Sequence, residues 1–364
     1  MKLSYTLSIY FSRFFLRWFM IFLLTLSGII LLFDFSELLR RVSSKPDIHM
    51  GIITQMALLR LPQLCEQLLP FIVFFSAMFS LWRLSRYNEI SVVRAAGISI
   101  WQMLFPFIAS AFFIGFLDVG VINPIAATML ERYEFLNKVH FHGEKSGVSI
   151  SEGGIWLRQI TKTGPIVLRI SRIDASKSHL SNITILEYKA DDVFKRRIDA
   201  KYGTLKGKGL ELEQVWISQV EEPPKQLVNL FYPVNVTASS FQENNKAPAH
   251  LSFWSLLGYS HLMEKSGLSG LKYRLYWHAL IARVFWLAAM VFIAAIFSLR
   301  SPRHGGKTFL IVSGAAVGFT LYILRDITYA MGQSSALPTL LAAWTPTAIS
   351  AMLGVAVLLH LEDG

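Results

Sequence analysis

The chain has 364 residues, of which 53% are hydrophobic and only 16% are charged, and its formal net charge is +11. A typical soluble domain has about 25% charged residues, so this composition excludes an ordinary soluble protein and indicates a membrane protein. The Lys and Arg residues lie beside apolar runs, which favours an anionic membrane surface as partner and no nucleic acid. The only cysteine is Cys65, so no disulfide can form within the chain.

Six apolar stretches approach the length of about 20 residues that a helix needs to cross a bilayer. They are residues 14–33, 64–82, 99–121, 280–299, 309–329 and 339–361. In the first, the uninterrupted apolar run Trp18–Phe33 follows Lys2, Arg13 and Arg17, and it lacks the short apolar core and small residues of a cleavable signal. We therefore interpret it as a retained first span.

A different pattern separates the third and fourth stretches. Residues 126–142 still have a helical pattern, and apolar and polar residues then alternate in short runs with Gly and Pro between them. The runs are residues 166–173, 183–188, 210–217 and 227–237. This spacing predicts a soluble antiparallel sandwich. We expect helical membrane segments at residues 1–125 and 272–364, with the β-domain inserted at residues 126–271.

Lys and Arg in short loops predict the orientation, because cytoplasmic loops carry an excess of them. One side of the predicted bundle holds Lys2, Arg13, Arg17, Arg83, Arg86, Arg94, Arg300, Arg303 and Lys307. The pattern places both termini in the cytoplasm and the β-domain on the opposite side, in the periplasm.

The segment 83–99 is too polar for a span but has helical periodicity, which predicts a short amphipathic helix at the cytoplasmic face. Its chemically distinctive residues are Arg86, Glu89, Arg94 and Gly97. Glu89 is the only acid among basic neighbours and can accept a bidentate arginine bond from a partner. The alternative is an interfacial helix that lies on lipid.

This segment resembles the coupling helix of the LptF/LptG lipopolysaccharide-export permeases, which has a Glu, then apolar and small residues, before the third span. Glu89, Ala95, Ala96 and Gly97 fit that pattern. The resemblance extends over the chain through the three-plus-three layout of spans around a periplasmic β-domain. The residues 26–30 with Asp34, and Gly318-Phe319 with Tyr322, are similar to the LptG branch.

The resemblance implies a jellyroll-like β-domain and an ATP-driven export machine for lipopolysaccharide. The implied partners are an LptF-type permease subunit, an LptB-type ATPase dimer and an LptC-type periplasmic protein. ATP and Mg would be used by the ATPase, with no cofactor in this chain. Gly305-Gly306-Lys307-Thr308 resembles the end of a phosphate-binding loop, but Ser301 stands where that motif needs Gly and no strand precedes it.

A second basic set breaks the charge bias because it falls on the outer side. It comprises Arg40, Arg41, Lys45, Arg60 and Arg325. Arginine binds phosphate through charge-assisted bonds, so we hypothesise that these residues line the mouth of a cavity for lipid A. The alternative is that they reach ordinary headgroups or, for Arg325, that it pairs with Asp326. Family cavities also use a basic residue late in the first span, where this chain has Leu31 and Leu32.

The sequence favours a six-span permease subunit for lipopolysaccharide export without an ATPase site, a catalytic set or a metal site. His140 and His142 have a spacing that metals can use, but no acid or thiol cluster accompanies them. Two alternatives are left open. A permease for another lipid or for lipoprotein would mostly have four spans per subunit, and a non-transport membrane scaffold would need no ATPase.

Overall fold

A computed structural model provides the structure of the chain. It describes residues 5–42, 49–137, 139–140, 147–151, 154–161, 164–174, 179–188, 193–206, 209–219, 222–233, 246–265, 268–299 and 307–363. The chain divides into two compact units, one helical and one dominated by a sheet. The helical unit contains Met1–Glu134, Ala249–Trp254 and Arg274–Gly364, and the sheet unit contains Phe135–Pro248 and Ser255–Tyr273.

The helices have these bounds: α1 Tyr5–Val42, α2 Met50–Arg86, α3 Glu89–Ala95, α4 Ile100–Leu117, α5 Asn123–Asn137, α6 Phe253–Lys265, α7 Leu271–Leu299, α8 Lys307–Gln333 and α9 Thr339–Asp363. A π-helical turn, Asp118–Ile122, joins α4 to α5 without a break, and a 3₁₀ turn, Pro248–His250, precedes α6. The predicted helical opening of the region after the third span is therefore present as α5.

Five stretches of the described helices are long and apolar enough to cross a membrane. They are Tyr5–Arg41, Met50–Arg86, Ile100–Asn137, Leu271–Leu299 and Thr339–His360. The remaining predicted span, residues 309–329, forms α8, a helix of 27 residues that contains Arg325 and Asp326 and is not among the five. The prediction of a helical, multi-span architecture is confirmed, and the number of six spans is not.

The core of the helical unit is built mainly from aromatic and aliphatic side chains of α1, α2, α4 and α7. The largest fully buried side chains include Phe11, Phe15, Phe74, Phe107 and Trp286. Within a bilayer such side chains stabilise the bundle by van der Waals packing, because lipid tails are as apolar as the side chains. Gly115 allows α4 and α7 to approach closely, because a Cβ added there would lie 2.9 Å from Cα of Val284.

The predicted amphipathic helix 83–99 is present only in part. Its first four residues are the end of α2, and α3 starts at Glu89 after a turn at Tyr87 and Asn88. Asn88 has a φ of +59°, in the left-handed region that stops a right-handed helix. A continuous periodicity across this turn could not reveal the break, because Asn is tolerated both in helices and in left-handed turns.

The sheet unit contains one antiparallel sheet in which each strand pairs with its neighbours in sequence, in the order β1 to β7. The strands are β1 Gly147–Ser151, β2 Gly154–Thr161, β3 Gly164–Asp174, β4 His179–Tyr188, β5 Phe194–Lys206, β6 Gly209–Gln219 and β7 Glu222–Pro233. The four predicted runs correspond to β3, β4, β6 and β7. This order is that of a meander, so the jellyroll and the two-layer sandwich are not confirmed by the described strands.

One face of the sheet is apolar and buried. Cross-strand pairs such as Leu168 with Ile185, Ile185 with Ile198 and Ala200 with Val215 form its core. Asn182 in β4 and Gln214 in β6 have φ values of +52° and +54° and are left out of the pairing register. At each of them the alternation of buried side chains shifts by one residue while the pairing register stays the same on both sides, so that Leu180 and Ile183 in β4, and Leu212 and Val215 in β6, are all buried.

Glu187 is a buried carboxylate at the end of β4, and every oxygen of this carboxylate is bonded. Arg196 donates to both oxygens at 2.7 and 2.8 Å, and the Tyr232 hydroxyl donates at 2.7 Å. Burial alone would raise the pKa of Glu187, but these hydrogen bonds and the positive charges of Arg196 and Lys195 hold it below its ordinary value. The same carboxylate raises the pKa of Arg196 by bonding its charged form.

Candidate functional site

The predicted coupling residues lie at the junction of α2, α3 and α4. Glu89 is partly buried at the start of α3, whereas Arg86, Arg94 and Gly97 are exposed. Gly97 has a φ of +78°, which ends α3 at low conformational cost because glycine has no Cβ. The four residues therefore share one short surface segment, and their role in docking stays a prediction.

Ser99 fixes the start of α4 directly after this segment. Its hydroxyl accepts a hydrogen bond from the backbone N–H of Gln102, and the Gln102 side chain accepts one from the backbone N–H of Ser99. This capping box satisfies two N–H groups that a helix start otherwise leaves free. The segment is thus held at one end by α2 and at the other by a well-defined helix start.

Two of the predicted outer basic residues have carboxylate partners within the chain. Arg60 donates to Asp34 at 2.7 Å and also lies over the ring of Tyr133, which joins α1, α2 and α5. Arg41 pairs with Glu37 one turn earlier in α1. Both guanidinium groups are therefore already bonded to a carboxylate, whereas the hypothesis of a lipid A site requires them to bind phosphate.

The other members of this set are distributed differently. Arg40 is exposed in the last turn of α1, and Lys45 lies outside the described residues. Arg325 belongs to α8, and its guanidinium lies 4.5 Å from the ring centroid of Trp286. The structure therefore groups Arg40, Arg41 and Arg60 around the end of α1 and places Arg325 on a separate helix.

Arg325 lines a polar cavity of about 270 Å³ in the helical unit. The other lining residues come from α2, the 3₁₀ turn, α7 and α8: Gln63, Glu66, Gln67, Ala249, Tyr276, Ala279, Arg283, Tyr322, Asp326 and Tyr329. Two carboxylates, Glu66 and Asp326, therefore share the cavity with two guanidinium groups. Such a lining is less favourable for a phosphate than a purely basic cavity.

A buried charge cluster adjoins this cavity, and the sequence reasoning did not assign it. Arg283 of α7 donates to Asp118 at 3.0 Å and to Glu66 of α2 at 3.4 Å. Asn123 donates a hydrogen bond to Glu66 and accepts one from the backbone N–H of Phe253. We call Glu66, Asp118, Asn123 and Arg283 the charge cluster. It connects α2, the π-helical turn, α5, α6 and α7.

The charge cluster is not fully satisfied. Glu66 Oε1, Asp118 Oδ1 and Arg283 Nε are buried and have no hydrogen-bond partner among the described residues. Two carboxylates face one guanidinium in a site where charge is expensive. The signal available in the sequence was the single charges Glu66 and Arg283 inside two apolar stretches, since opposite charges in spans tend to pair.

Comparison with known proteins agrees with the architecture and the resemblance. A family model described as "Lipopolysaccharide export system permease LptF/LptG" matches residues 9–360. The lipopolysaccharide export system permease protein LptG of Escherichia coli K12 is 23% identical over 341 residues, which are 90% of this chain and 89% of that protein. The protein of the same name from Escherichia coli O6:H1 has the same identity and coverage.

Proposed function

Because this chain belongs to the LptF/LptG family of lipopolysaccharide export permeases, we propose that it is the permease subunit of an ABC transporter. This transporter extracts lipopolysaccharide from the outer leaflet of the inner membrane and passes it to a periplasmic bridge. The observation that carries the proposal is the family match over residues 9–360, which includes both the helices and the inserted sheet.

The proposed topology has six spans, with α8 as the fifth, both termini in the cytoplasm and the sheet unit in the periplasm. The distribution of Lys and Arg supports this orientation. The length of α8, 27 residues, is sufficient to cross a bilayer. Its charged residues Arg325 and Asp326 face a polar cavity, which is where charges within spans are tolerated.

The proposed assembly pairs this chain with an LptF-type subunit, because six spans enclose only part of a path for a large amphiphile. An LptB-type ATPase dimer would dock at the segment that contains Glu89, and an LptC-type protein would continue from the sheet unit, whose finer fold would be jellyroll-like. ATP and Mg would act in the ATPase. The exposed position of Arg86, Arg94 and Gly97 beside Glu89 supports a docking surface there.

The experiment that tests the proposal is affinity purification of the chain from native membranes in mild detergent, followed by mass spectrometry of bound proteins and lipids. We expect a second permease, an ATPase and lipid A. Recovery of the chain with bulk phospholipid and without an ATPase would contradict the proposal. Glu89→Ala should reduce the amount of ATPase recovered, because a cationic group of the ATPase would lose its carboxylate partner.

The proposed lipid A site at the end of α1 has its own test. Arg40→Gln should lower photocrosslinking of lipopolysaccharide several-fold, while the assembled complex is recovered in the normal amount. Arg17→Gln is the matched control, since it removes an exposed arginine from the same helix nearer its other end. Equal crosslinking in the two variants would remove Arg40 from the site.

A further inference from the structure

Two arginines close to Glu89 in the sequence are held against aromatic rings. Arg83 lies over the rings of Phe14, Trp18 and Tyr87, with distances of 5.7 to 5.9 Å from guanidinium carbon to ring centroid. Arg86 lies over Trp82 at 5.5 Å. Cation–π contacts of this kind stabilise a guanidinium without using a carboxylate. The two arginines in the last turn of α2 therefore contact aromatic rings.

Glu89 accepts one hydrogen bond, and its donor is neutral. The hydroxyl of Tyr10 in α1 donates to Oε2 at 3.0 Å, although the two residues are 79 positions apart. Within the described part of the chain, Glu89 forms no ion pair, and Oε1 has no hydrogen-bond partner. None of the arginines at three nearby positions in sequence forms an ion pair with this carboxylate within the described residues.

The position of the Tyr10 hydroxyl is set by the bundle. The Tyr10 ring stacks on Phe14 with centroids 6.2 Å apart and contacts Phe11 at 5.7 Å. Phe11 is fully buried and packs against Phe107 of α4. Tyr10 therefore connects a carboxylate at the surface to side chains that are fixed in the core.

We propose that Tyr10 is a positioning residue that orients Glu89 so that Oε1 stays open to a guanidinium or ammonium group of the ATPase subunit. The inference rests on the proposed function, in which the Glu89 segment docks that subunit. A Glu side chain that is ordered before binding loses less conformational entropy when it pairs with a cation. The hydrogen bond from Tyr10 supplies this order and leaves the negative charge in place.

The test is a titration of the purified, reconstituted permease pair with the ATPase subunit that co-purifies with it, with ATP hydrolysis as the readout. Tyr10→Phe removes only the hydroxyl and preserves the ring contacts. It should raise the half-saturating ATPase concentration about three- to tenfold and leave turnover at saturation unchanged. Tyr5→Phe is the matched control, because it removes another exposed hydroxyl from α1, outside the segment that contains Glu89, and should leave both quantities unchanged.

The double variant Tyr10→Phe with Glu89→Ala separates positioning from other roles. If Tyr10 acts through Glu89, the double variant should match Glu89→Ala alone. An additional loss from Tyr10→Phe in that background would overturn the proposal, as would tighter docking of the single variant or a lower turnover at saturation. If Glu89→Ala docks normally, the proposed docking role fails. If Glu89→Ala binds the ATPase more weakly while Tyr10→Phe binds it as tightly as the wild-type chain does, only the positioning role fails.

Discussion

The helical unit and the sheet unit each bury an arginine–carboxylate cluster, and the two clusters are built differently. In the sheet unit, one carboxylate, Glu187, receives two bonds from Arg196 and one from Tyr232. In the helical unit, Glu66 and Asp118 share one nitrogen of Arg283. Three polar atoms of that cluster have no partner in the described part of the chain.

The two clusters differ in how far hydrogen bonds offset the cost of burying charge. The bidentate pair in the sheet gains geometric specificity and leaves no buried group unpaired, so it is a stabilising element. The charge cluster in the helices costs desolvation that its few bonds do not recover. An incompletely paired cluster beside a polar cavity is typical of a functional position in a membrane protein.

The largest effect is expected when the charge cluster loses its cation. Arg283→Met leaves Glu66 and Asp118 buried without the cation that donates hydrogen bonds to both, which should cost about 3–5 kcal/mol of stability. Thermal unfolding in detergent and the amount of chain in membranes measure this loss. The triple variant with Glu66→Gln and Asp118→Asn should recover most of it, because no uncompensated charge is then buried. A triple variant as unstable as Arg283→Met would show that packing of the arginine, not its charge, is the important contribution.

A smaller effect is expected in the sheet. Glu187→Gln removes the charge that Arg196 and Tyr232 bond and should lower the stability of the sheet unit by about 1–3 kcal/mol. Because the pKa of Glu187 is lowered on folding, its contribution is complete above the ordinary Glu value of about 4.3 and is lost as pH falls through the lower folded value.

Hydrogen exchange of residues 179–233 in the full chain measures both parts of this prediction. The wild-type sheet should lose protection below about pH 4, and the Glu187→Gln variant should lose less over the same interval. Thr184→Val is the matched control, because it removes a partly buried hydrogen bond to Asp199 in the same pair of strands. This control should retain the pH dependence, and a flat profile in it would argue against Glu187 as the titrating group.

The smallest effects should distinguish two glycines that both have open space around them. Gly97→Ala places a Cβ on a residue with φ of +78°, which should cost about 1–2 kcal/mol locally. Gly28→Ala lies inside α1 with no atom within 4 Å of the added Cβ and should stabilise the helix by up to about 1 kcal/mol. Hydrogen exchange at residues 89–99 measures the destabilisation by Gly97→Ala, and thermal unfolding measures the stabilisation by Gly28→Ala. If both substitutions change stability in the same direction, the positive φ does not decide the outcome at Gly97.

The sequence predicted the architecture where hydrophobic periodicity is strong. The apolar stretches were found because they approach the length of a membrane span. The strands β3, β4, β6 and β7 were found because apolar and polar residues alternate along each of them. The strand β5, Phe194–Lys206, was missed because Lys195, Arg196 and Arg197 hide its alternation. The left-handed conformation of Asn182 concealed the first half of β4, since the alternation of buried residues shifts by one residue there.

The candidate site was predictable only in its local parts. The positions 86–97 are adjacent in sequence, so their common surface followed from spacing. The contact of Tyr10 with Glu89 and that of Arg283 with Asp118 join residues 79 and 165 positions apart. Such contacts depend on the packing of whole helices, which residue types alone do not determine. The break at Asn88 depends likewise on a single backbone conformation.

The separation of Arg283 from its acids has a consequence for how the protein is made. Asp118 and Glu66 precede Arg283 by 165 and 217 residues, with the entire sheet unit between them. At synthesis rates of about 5–20 residues per second, Arg283 is added roughly ten to forty seconds after the two acids. Nascent chains that stop in the sheet unit retain two uncompensated acids among apolar helices. Glu66 and Asp118 can form the ion pairs of the charge cluster only after Arg283 has been synthesised, so a chain truncated before Arg283 keeps both carboxylates without this partner.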